Sequence, residues 1–408
     1  MSSSFDSQPF IPSRFREPLE GDSWRLRAVR RLLRLPPPTS EQLSRVRDTL
    51  CEGDPLADAL AERFEAIGAA QGRRLLTRAI EDGIERVPEA PEPLVALFAA
   101  LDRRPAWVDD AKLELATEVA GRVGMSGLQV LSCVSLTGGY RSSAANKPIA
   151  LTGALESMAY RRLAETSKFV LELYDSPTLA RDSAGFRAAV MVRALHALVR
   201  ARLRADPRWR AEDWGLPINQ ADMLGTNMLF STVFVLGLRA LGHVITGREA
   251  DALVHFWRYV GYLMGIREDL LPEDFDAACQ LVCLSLATQP PSDEDSRALA
   301  QALLSVPLSP GLGASGQRLE LAWRASFSRL MLGERECDEL GLPHGGMKWA
   351  VLLSALGNAA TEALRLTIPG AGEVIARQRR AQVRRVVERS LAGVAPSYQP
   401  YPGSATTG

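Results

Sequence analysis

Apolar side chains return every three or four residues through most of this chain, and the period-two alternation of a half-buried strand is scarce, so the pattern predicts helices throughout. Leu56, Leu60, Phe64 and Ile67 share one face and Leu75, Leu76 and Ile80 the next, which predicts a helix pair over 55–85. An Asp22-Ser23 cap precedes the basic stretch WRLRAVRRLL, which stops at Pro36–Pro38. Trp107–Asp110 leads into a helix that Gly124 ends. Leu128–Leu136 is apolar nearly throughout and is expected to be buried, running into Gly138-Gly139, a pair that either admits a flat group close to the backbone or only ends a helix. Pro148 is expected to open a helix that continues to Tyr174.

Two helices in the middle of the chain carry interrupted stripes. Phe186–Leu203 sets Ala189, Val192, His196, Val199 and Leu203 on one face, with a single imidazole among aliphatic groups. Arg193 and Arg200 lie one turn to either side of it. A lone histidine in such a stripe is most often a hydrogen-bonded core residue; between two arginines it also suits an anionic, metal-bearing cofactor. The preceding helix places Leu155, Met158, Ala159, Arg162, Thr166 and Phe169 together, with Glu165 beside Arg162 and Lys168 one turn on. Two interrupted stripes suit one shared cavity. Met223, Met228, Phe230 and Phe234 read as core or as the wall of a hydrophobic pocket.

Composition narrows the function classes. With 48 basic and 48 acidic residues the formal net charge is zero, so no global field draws the chain to nucleic acid or to an anionic membrane. Five cysteines without a CxxC or CxxCH spacing argue against a disulfide framework, a zinc site and covalent haem attachment. No run approaches the roughly 18 apolar residues that span a bilayer. The start, MSSSFDSQPF, lacks an apolar signal core, and Arg30-Arg31 is followed only by LLRLPPP, so a cytoplasmic location is expected. Without an obvious linker, residues 21–392 are expected to form one large domain between disordered ends, 1–20 and 393–408.

Six stretches, in order, carry a family likeness: GDPLADAL (53–60), GGYRSSAANKPIALTG (138–153), YRRLAETSKFV (160–170), VRALHALVR (192–200), GLPINQADML (215–224) and HFWRYVGYLMGIREDLLP (255–272). Together they resemble the bacterial latex-clearing proteins, or rubber oxygenases, and the related fungal oxygenase that cleaves a prenyl side chain in mycophenolic acid biosynthesis. The resemblance implies an all-α fold, one large helical domain with a globin-like or bundle-like core around one haem b. It implies His196 as the proximal iron ligand, Arg193 and Arg200 on the haem propionates, and Arg162 and Thr166 on the distal side. It also implies O2 or peroxide chemistry on a hydrophobic alkene or another small lipophilic substrate.

Two positions depart from the rubber-cleaving members. Glu165 stands where they have a lysine able to occupy the sixth iron position, and Asn146 where they have a glutamate proposed as the base. A carboxylate is no strong-field nitrogen ligand, so water, a weak oxygen ligand or nothing is expected opposite His196. Buried near iron, Glu165 is expected to have a raised pKa and to act in acid–base catalysis beside Arg162 and Thr166. Lys168 is expected to pair with it or else to reach the iron, and the plain alternative for both residues is a partly solvated helix ion pair with no part in the chemistry. The exported members of the family carry a secretion signal, which makes solid rubber an unsuitable substrate for a chain read as cytoplasmic. The alternative is a haem- or lipophile-binding helical protein that kept the scaffold without the chemistry.

Overall fold

A computed structural model describes residues 10–17, 24–152, 159–309 and 311–391; its regular structure is helical, with no β-strand among the described residues. The all-α expectation therefore holds. The principal helices are α1 (Pro55–Ile67), α2 (Asp110–Val123), α3 (Ser143–Leu151), α4 (Ala159–Tyr174), α5 (Ala184–Arg204), α6 (Gln220–Phe230), α7 (Thr232–Ala240), α8 (Gly247–Leu263), α9 (Phe275–Thr288), α10 (Glu294–Ser305), α11 (Ala314–Leu332), α12 (Lys348–Thr367) and α13 (Ala371–Ser390).

Local chemistry explains where many of these helices start. Asp54, Asp109, Ser183, Asn219, Thr246, Asp274 and Asp293 each accept a first-turn backbone N–H through the side chain, satisfying donors that have no partner within the helix. Thr246 and Glu249 form a reciprocal capping box on α8. That helix is buried on nearly every face, from Ala250 to Leu263, which its all-round apolar sequence requires. It lies against α2 and also meets α5, α6, α7 and α9. The main hydrophobic cluster extends from Leu60 to Val351 through Phe98, Phe186, Phe256 and Trp257. Against this frame, α4 and α5 pair, α1 covers α5, and α13 crosses α2 and α4.

Several expectations need correction. Pro148 lies inside α3 rather than opening a helix, and α4 begins at Ala159. Leu155 and Met158 lie outside the described residues, as do Asp22, Ser23 and most of the two expected disordered ends. Leu131–Leu136, within the stretch expected to be buried, is mostly buried and takes the form of a π-helix that leads into Gly138-Gly139. No unbroken apolar run of that length was expected, yet one helical stretch has the mean apolarity and length of a span. Gln220–Ala240 meets that test by length and composition, and more than half of its apolar window is buried inside the fold, as in a core helix. Met223, Met228, Phe230 and Phe234 are all buried along it.

Candidate functional site

The centre of the molecule fixes α5 by two ion pairs. Arg193 donates through Nε and Nη2 to both carboxylate oxygens of Asp54, at 2.6 and 2.8 Å, with both side chains buried. Asp54 also caps α1, so one carboxylate ties the start of α1 to the middle of α5. Gly265 borders this pair at φ +86°, and a Cβ there would lie 2.1 Å from Asp54 Oδ2. Gln220 bridges the same corner, donating to the carbonyls of Gly53 and Gly265 at 2.7 and 2.9 Å.

Two turns on, Arg200 is 1% exposed, pairs with Asp58, and donates to the carbonyls of Pro217 and Ile218. Ile218 sits at φ 50°, a left-handed conformation that a β-branched residue rarely takes, and the Arg200 bonds help to hold it. Burial is the main influence on Asp58 and raises its pKa, with the Arg200 charge opposing. Arg193 and Arg200 were expected to meet haem propionates; the structure gives both guanidinium groups protein carboxylates instead, on the buried face of α5 towards α1.

His196 lies on the next face. Its Nδ1 is buried and has no hydrogen-bond partner among the described residues, which removes the reading of a satisfied core histidine. Burial, and after it the charge of Arg200, brings the imidazole pKa down to about 4, with Asp54 opposing. The ring is therefore neutral at pH 7, with one nitrogen lone pair free to bind a metal. Val192, Leu195 and Val199 surround it on the helix surface, and like His196 they are only half-buried, whereas Arg193, Ala197 and Arg200 are fully buried. The protein thus leaves the histidine face partly uncovered. An axial-ligand role fits this residue; a propionate role does not fit Arg193 or Arg200.

Arg162 and Thr166 of α4 line a cavity of about 570 Å³, together with Asn146 of α3, the turn Gly138–Ser142, Gly225 and Leu229 of α6, and Gln289 after α9. His196 and Glu165 are not among its lining residues. Arg162 has no carboxylate partner among the described residues. Burial raises the pKa of Tyr140, opposed by the nearby charge of Arg162. Asn146 donates to the Tyr140 carbonyl at 2.7 Å and to Ser296 Oγ at 3.0 Å, so its amide is fixed in the wall. Asp222, also in the wall, is neutralised by a two-bond contact from Arg14 at 2.6 and 2.8 Å. A second cavity of about 780 Å³ shares Ala221, Gly225, Ser285 and Gln289 with the first, so the two meet at the α6–α9 seam.

Glu165, expected as an acid–base catalyst near iron, accepts from Arg161 at 3.1 Å, and Lys168 pairs with Glu172 at 3.5 Å. The structure therefore shows two i,i+4 pairs, Arg161–Glu165 and Lys168–Glu172, in place of the expected Glu165–Lys168 pair. The other histidines have separate work. His255 Nε2 accepts the N–H of Asp109 at 3.0 Å, within a ring cluster with Trp107. His243, just past the end of α7, is buried against Glu362 at 3.3 Å. His344 is exposed in a loop.

Sequence reasoning passed over Asp54 and Asp58, although both stand in GDPLADAL. Their spacing of four at the start of α1 against the spacing of seven between Arg193 and Arg200 was the available signal. It also passed over Tyr140, Ser285 and Gln289 as cavity residues, which come from two separate segments, the turn after the π-helix and the end of α9.

Comparisons with known proteins agree with this architecture. The family model described as ER-bound oxygenase mpaB/B'/rubber oxygenase, catalytic domain, matches residues 122–366. The rubber oxygenase of Streptomyces sp. (strain K30) is 24% identical over 302 residues, covering 71% of this chain and 70% of the relative. The solved structure of a latex-clearing protein in the closed state superposes with a TM-score of 0.66 at 21% identity, covering 83% of this chain and 91% of that one, a likeness of fold.

Proposed function

Because the chain belongs to the mpaB/B'/rubber oxygenase catalytic-domain family, we propose that it is an oxygenase that binds one haem b through His196 and acts with O2 or peroxide on a small lipophilic alkene, not on polymeric rubber. The observation that carries this reading is the buried Nδ1, partnerless among the described residues, of a neutral imidazole on a half-covered apolar face. When bound, haem supplies an iron centre able to activate dioxygen or peroxide.

The protein's own groups do the remaining work. The Asp54–Arg193 and Asp58–Arg200 pairs lock α5 against α1 and thereby set the position of the imidazole. Arg162, which has no carboxylate partner among the described residues, is the cation available to an anionic group such as a propionate. Thr166 brings a hydroxyl to the same cavity, and Leu136, Ile149, Leu163 and Leu229 give that cavity the apolar surface a lipophilic substrate needs. Asn146 can orient a substrate but cannot take up a proton.

Asn146, together with the pairing of Glu165 with Arg161, favours a second reading, a haem- or lipophile-binding protein without oxygenase chemistry. Oxygen uptake by the haem-loaded protein with short isoprenoid alkenes separates the two. Substrate-dependent uptake supports the oxygenase, and lipophile binding without uptake supports the carrier.

A further inference from the structure

Helix α12 is amphipathic in the inverted sense. Ser354, Asn358 and Glu362, spaced by four, turn inward: Ser354 accepts from Trp323 Nε1 at 3.2 Å, Asn358 donates to the Leu241 carbonyl at 2.9 Å, and Glu362 is 2% exposed between His243 and Arg365. The outward face carries Trp349, Leu352, Leu353, Leu356 and Leu364, each more than half exposed, and no exposed residue from Trp349 to Thr367 is charged. A five-turn apolar face directed at water is more than the scattered single side chains of an ordinary surface. Ile368 and Val374 extend it round the corner into α13. That helix holds six arginines against two glutamates, with Arg377, Arg385 and Arg389 exposed.

We propose that α12 and α13 seat the protein on an anionic lipid bilayer, the leucine stripe entering the boundary between headgroups and acyl chains and the arginines meeting lipid phosphates. Size argues against a second copy as the occupant: a 20-residue helix is about 30 Å long and about 10 Å wide, roughly 300 Å² of contact where a stable dimer needs about 800 Å² from each partner. Charge argues for lipid, because a basic helix flanking an apolar stripe complements an anionic interface. A net charge of zero conceals this, since the excess is local. The proposal rests on neither haem nor catalysis.

Vesicle flotation of the full chain tests it, using phosphatidylcholine alone and phosphatidylcholine with about a third phosphatidylglycerol. The expected result is flotation with the anionic vesicles, little with the neutral ones, and release as salt rises from about 0.05 to about 0.5 M. The double variant Leu353→Asp/Leu356→Asp abolishes flotation, while Arg377→Gln/Arg385→Gln weakens it about tenfold or more. Both change exposed side chains, and circular dichroism confirms that they fold. Absence of flotation, flotation that neither variant alters, or a concentration-dependent dimer that the leucine variant breaks without any vesicle binding overturns the proposal.

Discussion

Arg193 grips both carboxylate oxygens of Asp54, at 2.6 and 2.8 Å, one helical turn before His196. Removing one partner of a buried pair leaves the other charge desolvated and alone, at a cost of about 3–5 kcal/mol. Asp54→Ala is therefore expected to lower unfolding free energy by that amount in urea titration, and to reduce retained haem in the protein that folds. Asp54→Asn keeps the cap on α1 and is expected to cost less.

Arg162 lines the cavity with no carboxylate partner among the described residues, which offers its guanidinium to a ligand. Arg162→Gln is expected to leave stability within about 1 kcal/mol. It is expected to weaken haem retention or substrate-dependent oxygen uptake about tenfold or more, the effect of one charge-assisted contact. Haem titration of the apoprotein followed by an oxygen electrode separates these two effects.

Glu165 accepts from Arg161 and is not among the residues that line the cavity. Glu165→Gln is expected to change oxygen uptake by less than about twofold and stability by less than about 1 kcal/mol, the range of a partly solvated helix pair. A loss of uptake beyond about tenfold would return Glu165 to the chemistry.

His196 and His255 are both held neutral by burial, each with its pKa brought down from 6.5 to about 4. An unfolded chain takes up those protons near 6.5, so between the two values the unfolded state binds more protons than the native one. Stability is fully present above about pH 6.5 and is lost as pH falls towards about 4, by at most about 3 kcal/mol for each ring. Denaturant midpoints of the apoprotein measured across that interval are expected to fall with pH. His196→Gln is expected to flatten the slope.

The helices were legible because their signals are local: aspartate, threonine and asparagine caps, Gly124, and the spacing of Leu60 and Phe64 or of Val192 and His196 each act within a few residues. What was not legible depends on partners far along the chain. The arginines beside His196 look free in sequence, yet Asp54 and Asp58 lie about 140 positions away and reach them only when α1 folds onto α5. Glu165 has Arg161, Arg162 and Lys168 all within one turn, and periodicity does not choose among them. The inverted polarity of α12 was equally hidden, because a stripe of leucines gives no indication of which side the protein covers.

The most direct test of the central claim is the absorption spectrum of the protein and of His196→Ala, each purified from cells supplied with iron and compared at matched helix content. The account predicts a Soret band in the parent protein, its loss in the variant, and its return when free imidazole is added to the variant with haem. A variant that keeps full haem occupancy, or a parent that stays colourless when haem is supplied, contradicts it.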